Sequence, residues 1–423
     1  MIDLKQMRDN VKRYRTAAEA KGVEIDFDRI LELDREVRSI QGEVESIAAQ
    51  KNEASKQIAT AAADEKKNLI EEMKVVDRKE EDLRSKLTPL TEELDELLYK
   101  IPNPPADDVT VDLSEENNEV IRTEGQKPTF NFEVKDHQEI GKILDIIDTE
   151  NAAKVSGARF TYLKGDAVRL QLALQQYALE VTAKHGFVPV VVPQLISAKS
   201  MRAMGYLEHG GHDEIYFLPK DNLYLIGTSE QSIGPMQMDQ IIDEKNLPLR
   251  YVGISTCYRR ESGSYGKDTK GIIRLHQFDK VEMFSFTLPE KSDEEHELLL
   301  SIEEELMKSL GLHYQVIKMV SGDLGLPAAR KYDIETWIPS QEKFRETHST
   351  STTTDFQTRR LNIRYKKGKK TEYIHALNGT AFAIGRTLVA ILENYQNADG
   401  SVTIPQVLRP YMGGQEAIEV SVK

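Results

Sequence analysis

Two apolar seams constrain this chain before anything else. Ile30, Leu33, Val37, Ile40, Val44, Ile47, Lys51, Ala54 and Ile58 fall at alternating spacings of three and four residues. So do Leu69, Met73, Val76, Glu80, Leu83, Leu87, Leu90, Leu94 and Leu97. An α-helix turns once in about 3.6 residues, so this spacing draws one stripe along each of two helices, each needing the other as cover. The break at residues 59–68 turns the second run back on the first. Pairing 58 with 69 then sets 47 against 80, 44 against 83 and 30 against 97. The prediction is an antiparallel helical coiled-coil hairpin, about 40 Å or more long at ~1.5 Å per residue. Asp26 is placed to cap the first arm, and residues 1–26 read as a short helix or two. Pro89 should kink the second arm, because its ring nitrogen brings no N–H to the helical ladder. Lys51 and Glu80 intrude on the seams in neighbouring layers; either they neutralise each other or each reaches out to water.

A two-helix hairpin buries little, so it serves either to reach something or as a spacer or dimerisation element. The seams do not choose between these. Near the tip, Lys56, Lys66, Lys67, Lys74 and Arg78 recur among acids, a weak nucleic-acid signature. The whole chain carries a formal charge of −14, so a nucleic acid could be met only through a local basic face.

With 423 residues the chain exceeds one ordinary core and should divide. The run IPNPP at 101–105 ends the second arm, and an acidic stretch follows to Pro128. The expected division is therefore 1–100 for the N-terminal domain, 101–129 for a linker and 130–423 for the second domain. Cys257 is the single cysteine, which excludes an intrachain disulfide and a cysteine-based zinc site and fits a reducing cytosol. The N-terminus lacks the apolar core of a leader and no apolar run approaches a membrane span, so the expectation is a soluble cytoplasmic protein with no membrane contact.

The most informative stretch of the second domain is 257–284, CYRRESGSYGKDTKGIIRLHQFDKVEMF. Residues 257–261 read as the end of a strand, 262–271 as a basic loop with Lys267 and Lys270, and 271–284 as the returning strand. On that strand Ile273, Leu275, Gln277, Asp279 and Val281 share one face; Arg274, His276, Phe278, Lys280 and Glu282 share the other. Such a polar face would leave charges unpaired in a core. It lines a polar cavity, or it is the solvated side of a hairpin.

Arg259-X-Glu261, the basic loop, then Gly271-X-X-Arg274-X-His276-Gln277-Phe278-X-X-X-Glu282 resembles motif 2 of the seryl-tRNA synthetases, a class II aminoacyl-tRNA synthetase family. The likeness extends to IPNPP and its acidic sequel. A helix over 166–185, then Gly186-Phe187, a strand over 188–192 and Pro193, is similar to motif 1, the dimer interface of that family. Residues 377–388, read as a strand, a tight turn and a helix running to Tyr395, are similar to motif 3, with Arg386 at its arginine. Thr228-Ser229-Glu230 matches the family's Thr-X-Glu, although from the residues alone Thr228 could equally be a helix N-cap. The chain departs from the family at Gln231-Ser232-Ile233, where an apolar, proline-containing run is usual, and at Thr352, where asparagine is usual. Elsewhere, residues 136–148 read as an amphipathic helix, 292–310 as an acidic helix and 331–339 as a strand.

The resemblance implies an α+β fold: the helical hairpin plus a class II catalytic domain on an antiparallel β-sheet flanked by helices. It implies activation of L-serine with ATP and Mg²⁺ to seryl-adenylate, then transfer to the 3′ end of tRNA(Ser) by a homodimer. The arm would clasp the long variable arm of the tRNA, with Lys56, Lys66, Lys67, Lys74 and Arg78 as candidate contacts. Whether tRNA(Sec) is also charged stays open. The implied catalytic residues are Arg259, Arg274 and Arg386. Serine would be met by Thr228, Ser229, Glu230, Arg259, Glu282, Asn378 and Thr380. ATP would be met by Arg259, Arg260, Glu261, Arg274, Leu275, Phe278, Glu346, Thr347, His348, Ser349 and Arg386, with the metal on Glu346 and Ser349. Two other readings stand beside this one: an inactive synthetase-like tRNA-binding paralogue, and an amino-acid activator that loads a carrier protein.

Overall fold

The computed structural model describes residues 2–262 and 271–420; the basic loop expected over 262–271, with Lys267 and Lys270, lies almost wholly outside them. The chain forms two compact units, one of Ile2–Glu19 with Val23–Pro102, the other of Asn103–Lys423 with Ala20–Gly22.

In the first unit, short helices Leu4–Asp9 and Val11–Ala20 precede the hairpin arms Phe27–Thr60 and Ala63–Lys100. Asp26 caps the first arm as expected, accepting from the Arg29 amide at 2.9 Å. Val44, Ile47 and Leu83 pack in one cluster with Ile40 and Val76 beside them, which is the predicted register. Lys51 resolves toward pairing: its Nζ lies 2.9 Å from Glu80 and 2.6 Å from Asp77. The arm runs on through Pro89 as one helix, so the proline interrupts nothing. At the base Leu98 rather than Leu97 is fully buried, together with Phe27, Ile30 and Leu33.

The second unit is built on an eight-stranded sheet. Its strands are β1 (Glu119–Glu124), β2 (Val188–Val191), β3 (Leu249–Tyr258), β4 (Gln277–Thr287), β5 (Tyr314–Lys318), β6 (Arg330–Ile338), β7 (Lys343–Thr354) and β8 (His375–Ala383). They lie in the order β1-β5-β6-β7-β8-β4-β3-β2. Every pairing is antiparallel except β2 with β3. Helices Asp166–Lys184, Ser292–Ser309 and Ile384–Asn394 share the main apolar core with β4, β6 and β8. Val168 and Leu172 of the first of these helices, and Val188 and Val191 of edge strand β2, leave an apolar surface exposed.

Four expectations need correction. Residues 103–129 belong to the second unit rather than to a bare linker, because β1 hydrogen-bonds along β5. The helix expected over 136–148 stops at Ile143; Asp145 takes a positive φ and Ile147 joins a two-stranded pair with Leu163. Strand β8 continues to Ala383, so Gly379 and Thr380 sit inside it and not in a tight turn. The returning strand of the 257–284 stretch begins at Gln277, with Ile272, Ile273 and Leu275 buried in the core before it.

Candidate active site

Two β-bulges decide which side chains meet. Along a strand, residues three apart face opposite sides. On β8, Phe382 lies opposite Val281 and Thr380 opposite Glu282, leaving Ala381 as an extra residue. That extra residue reverses the alternation, so Thr380 and Ala383 share a face. On β7, His348 lies opposite Ile334 and Glu346 opposite Glu335, leaving Thr347 extra. Glu346 and Ser349 therefore face one side, with Asp333, which hydrogen-bonds Ser349, and Lys331, whose Nζ is 3.2 Å from Asp333. Thr347 and His348 turn to the other side. The Thr347 hydroxyl stands 2.8 Å from that of Thr336; the buried His348 ring stands 2.9 Å from both Thr347 Oγ1 and the Ala381 carbonyl. Burial holds His348 well down, at about 3, so its ring is neutral. These two expected nucleotide contacts instead support the bulges.

Glu282 and Thr380 face each other across β4 and β8, and the Thr380 hydroxyl hydrogen-bonds the carboxylate. Lys280, one pleat along, ion-pairs with Glu282 at 2.5 Å and reaches Thr228 Oγ1 at 3.4 Å. Glu230 is buried beneath them and accepts from the Tyr206 hydroxyl. Burial and then the Glu282 charge push Glu230 up to about 7; burial also raises Glu282. Two expected serine contacts stand aside. Ser229 is fully buried with its hydroxyl 2.8 Å from Ser255. Asn378 lies opposite Phe284, a member of the second apolar cluster. Gln231, one of the departures from the family pattern, closes the turn below the pocket by accepting from the Gly227 amide at 2.8 Å.

Arg259 follows β3. Its Nε donates to the Gly227 carbonyl at 3.2 Å and its guanidinium lies 5.3 Å over the Phe278 ring. Glu261 adopts a positive φ and its carboxylate takes Arg274 at 2.8 Å. Tyr206, Thr228, Arg259, Glu261 and Arg274 line one cavity of ≈ 420 Å³. Arg260 lines up elsewhere, donating to the Ile215 carbonyl at 3.1 Å and covering the Tyr216 ring. Leu275 is buried in the core. Arg386, from the first turn of the helix after β8, ion-pairs with Glu346 at 3.1 Å. Burial opposes ionisation of Glu346, but Arg386 and Lys331 outweigh it and hold the carboxyl at about 2. Tyr206, Lys331 and Asp333 were not among the expected site residues. Lys280 was visible only as one member of a polar face.

On the arm, Lys56, Lys66, Lys67, Lys74 and Arg78 are all exposed. Lys74 pairs with Glu71 at 2.7 Å and Lys56 lies 3.5 Å from Glu53.

Comparison with known proteins places this geometry. Residues 217–395 match the model of the tRNA synthetase class II core domain (G, H, P, S and T), and residues 1–105 match the seryl-tRNA synthetase N-terminal domain. A serine–tRNA ligase of Streptomyces coelicolor is 45% identical over 427 residues, covering 100% of both chains. Among solved structures, seryl-tRNA synthetase from Pyrococcus horikoshii complexed with ATP superposes with a TM-score of 0.91 at 37% identity, covering 100% of both chains. The cytoplasmic serine–tRNA ligase of Naegleria fowleri in complex with AMP gives 0.84 at 34% identity, over 97% of this chain and 96% of that one. The chain belongs to the seryl-tRNA synthetase family of class II aminoacyl-tRNA synthetases.

Proposed function

We propose that the residues gathered at β4, β7 and β8 carry both steps of the family's reaction. Serine enters between Glu282, Thr380, Thr228 and Glu230, its ammonium toward the carboxylates and its hydroxyl toward Thr380. ATP lies along Glu261, Phe278, Arg274 and Arg386. The serine carboxylate attacks the α-phosphorus in line and pyrophosphate leaves, a step that needs positioning and charge neutralisation more than proton transfer. Arginine suits it, because its planar fork grips carboxylate and phosphate and keeps its charge. The ion pairs Glu261–Arg274 and Glu346–Arg386 hold these groups in place and neutral until ligands take over one partner of each. A 3′-terminal ribose hydroxyl of tRNA then attacks the acyl carbon of seryl-adenylate and AMP departs.

The residues around Glu346 fit Mg²⁺. Glu346 and Ser349 share a face, and Asp333 Oδ1 is buried there without a hydrogen-bond partner among the described residues. These are the hard oxygen donors Mg²⁺ takes, and the bound ion would offset charge on the ATP phosphates. The observation that carries the reading is Arg259 on one cavity wall with Thr228, Glu261 and Arg274. Serine-dependent ATP–pyrophosphate exchange tests the first step, and charging of unfractionated tRNA tests the second.

Discrimination follows from the hydroxyl contacts. A site built to hydrogen-bond a substrate hydroxyl rejects the analogue lacking it by about 10⁴-fold in the best cases. Exchange with alanine should accordingly be lower than with serine by that order. A difference within tenfold would remove Glu282 and Thr380 from this role.

The exposed patch of Val168, Leu172, Val188 and Val191 supports a two-fold homodimer formed across it. Leu172→Asp with Val191→Asp should yield a monomer by light scattering, and an unchanged mass would place the interface elsewhere. A cytoplasmic setting is supported by the single, buried Cys257. Among the described residues no helix is long and apolar enough to cross a membrane.

A further inference from the structure

Glu303 is a carboxylic acid with no part in the scheme above. It stands on the helix Ser292–Ser309 among Leu299, Leu300, Ile302, Leu306 and Met307, and is 0% exposed. Neither of its oxygens reaches full hydrogen-bond geometry with any described residue. A buried acid in that condition is costly, and such groups call for an explanation.

Its position supplies one. An added methyl at Gly379 would stand 3.1 Å from Glu303 Oε1, with Met283 and Thr350 closing the sides at 3.2 Å. The carboxyl thus presses on β8 from its hidden face, where only glycine leaves room. One residue on, the bulge at Ala381 breaks the pairing with β4 and leaves backbone groups to be met by side chains. His348 lies 2.9 Å from the Ala381 carbonyl, while the Thr380 amide is turned toward Glu303. On the opposite face of the same residue, the Thr380 hydroxyl bonds Glu282.

We propose that Glu303 is a positioning residue for serine selection, holding the Gly379–Thr380 backbone from behind so that the Thr380 hydroxyl stays aimed into the pocket. This rests on the reading of Thr380 as a partner of the serine hydroxyl. Burial, reinforced by the Glu282 and Asp333 charges, raises Glu303 far above the usual carboxylate range. It therefore acts as a neutral acid whose carbonyl oxygen can accept from the Thr380 amide.

Three variants test this, each followed by KM for serine, KM for ATP, the alanine-to-serine exchange ratio and melting temperature. Glu303→Gln keeps a neutral acceptor and should leave the serine KM within about threefold of the parent. Glu303→Met fills the space with an apolar chain. It should melt no lower than the parent, since removing an unpaired buried polar group is often neutral or stabilising. Its serine KM should nevertheless rise about tenfold, roughly the worth of one hydrogen bond to a poised group, with the ATP KM within about twofold and alanine less well rejected. A purely structural residue would move stability, or both KM values together. Thr380→Val separates the two layers of the argument. If it leaves the serine KM unchanged, the pocket reading falls and the Glu303 role with it. If it raises the serine KM while Glu303→Met does not, the pocket stands and the positioning role is overturned. Equal impairment of Glu303→Gln and Glu303→Met would overturn the acceptor contact. Should Glu303→Met not fold, Gly379→Ala displaces the same carboxyl by crowding Oε1 and is read by the same KM split.

Discussion

Arg259→Lys is expected to lower serine-dependent ATP–pyrophosphate exchange by at least about 100-fold, the order seen when one charge-stabilising donor is lost in a transition state. The melting temperature should not change. Arg259 uses one nitrogen on the Gly227 carbonyl and lays its plane against Phe278, which leaves the two terminal nitrogens in a fixed orientation toward the cavity. A carboxylate and a phosphate can be held side by side by that fork as the new bond forms. A lysine ammonium keeps the charge but has neither the plane nor a second arm, so it cannot anchor to Gly227 and bridge two anions together. Because the guanidinium acts on charge that develops during attack, most of the loss should appear in kcat rather than in either KM. Near-parental exchange would remove Arg259 from the centre of the reaction.

Much of this site was legible in the sequence, but not the geometry that assembles it. The hairpin was readable because two helices need only one stripe each, and the stripe survives the charged intruders Lys51 and Glu80, which pair across the seam. The polar face of β4 was readable because Lys280 and Glu282 alternate with the apolar Val281 and Met283. The functional roles came from the resemblance to a family, since no spacing says which arginine meets a phosphate. What remained hidden were the bulges. Glu346 and Ser349 are three apart, and simple alternation places them on opposite faces; only the pairing with β6 reveals the extra residue at Thr347. For the same reason Thr347 and His348, contiguous with true pocket residues, were grouped with them although both face the core. Tyr206 escaped for a different reason. Its partner Glu230 lies on another element, and long-range contacts between short helices leave no periodic trace.

Shortening the arm should separate the two half-reactions. The proposed adenylation residues all lie between Thr228 and Arg386, in a unit that begins at Asn103. Excising residues 44–83 and closing the gap with a short Gly–Ser turn cuts the hairpin at a layer where Val44 and Leu83 pack together. The base survives, with Phe27, Ile30, Leu33 and Val37 still able to cover Leu94 and Leu98. That choice matters, because removing the arm from Phe27 onward would strip cover from Met7, Tyr14 and Ala17 in the short helices before it. Serine-dependent exchange should remain within about twofold of the parent, since units joined by few contacts act independently. Charging of tRNA should fall by about 100-fold or more. The arms run 34 and 38 residues, about 50 Å at 1.5 Å per residue, and such a length suits a tRNA feature far from the acceptor end. Full-length molecules carrying Lys66→Ala, Lys67→Ala, Lys74→Ala and Arg78→Ala test the electrostatic half of the same idea. Each phosphate contact removed should flatten the salt dependence of tRNA binding by about one unit of log–log slope. An excised enzyme that charged tRNA at the parental rate would return the arm to the role of a spacer. A quadruple variant with parental salt dependence would instead move the contacts to other residues of the arm.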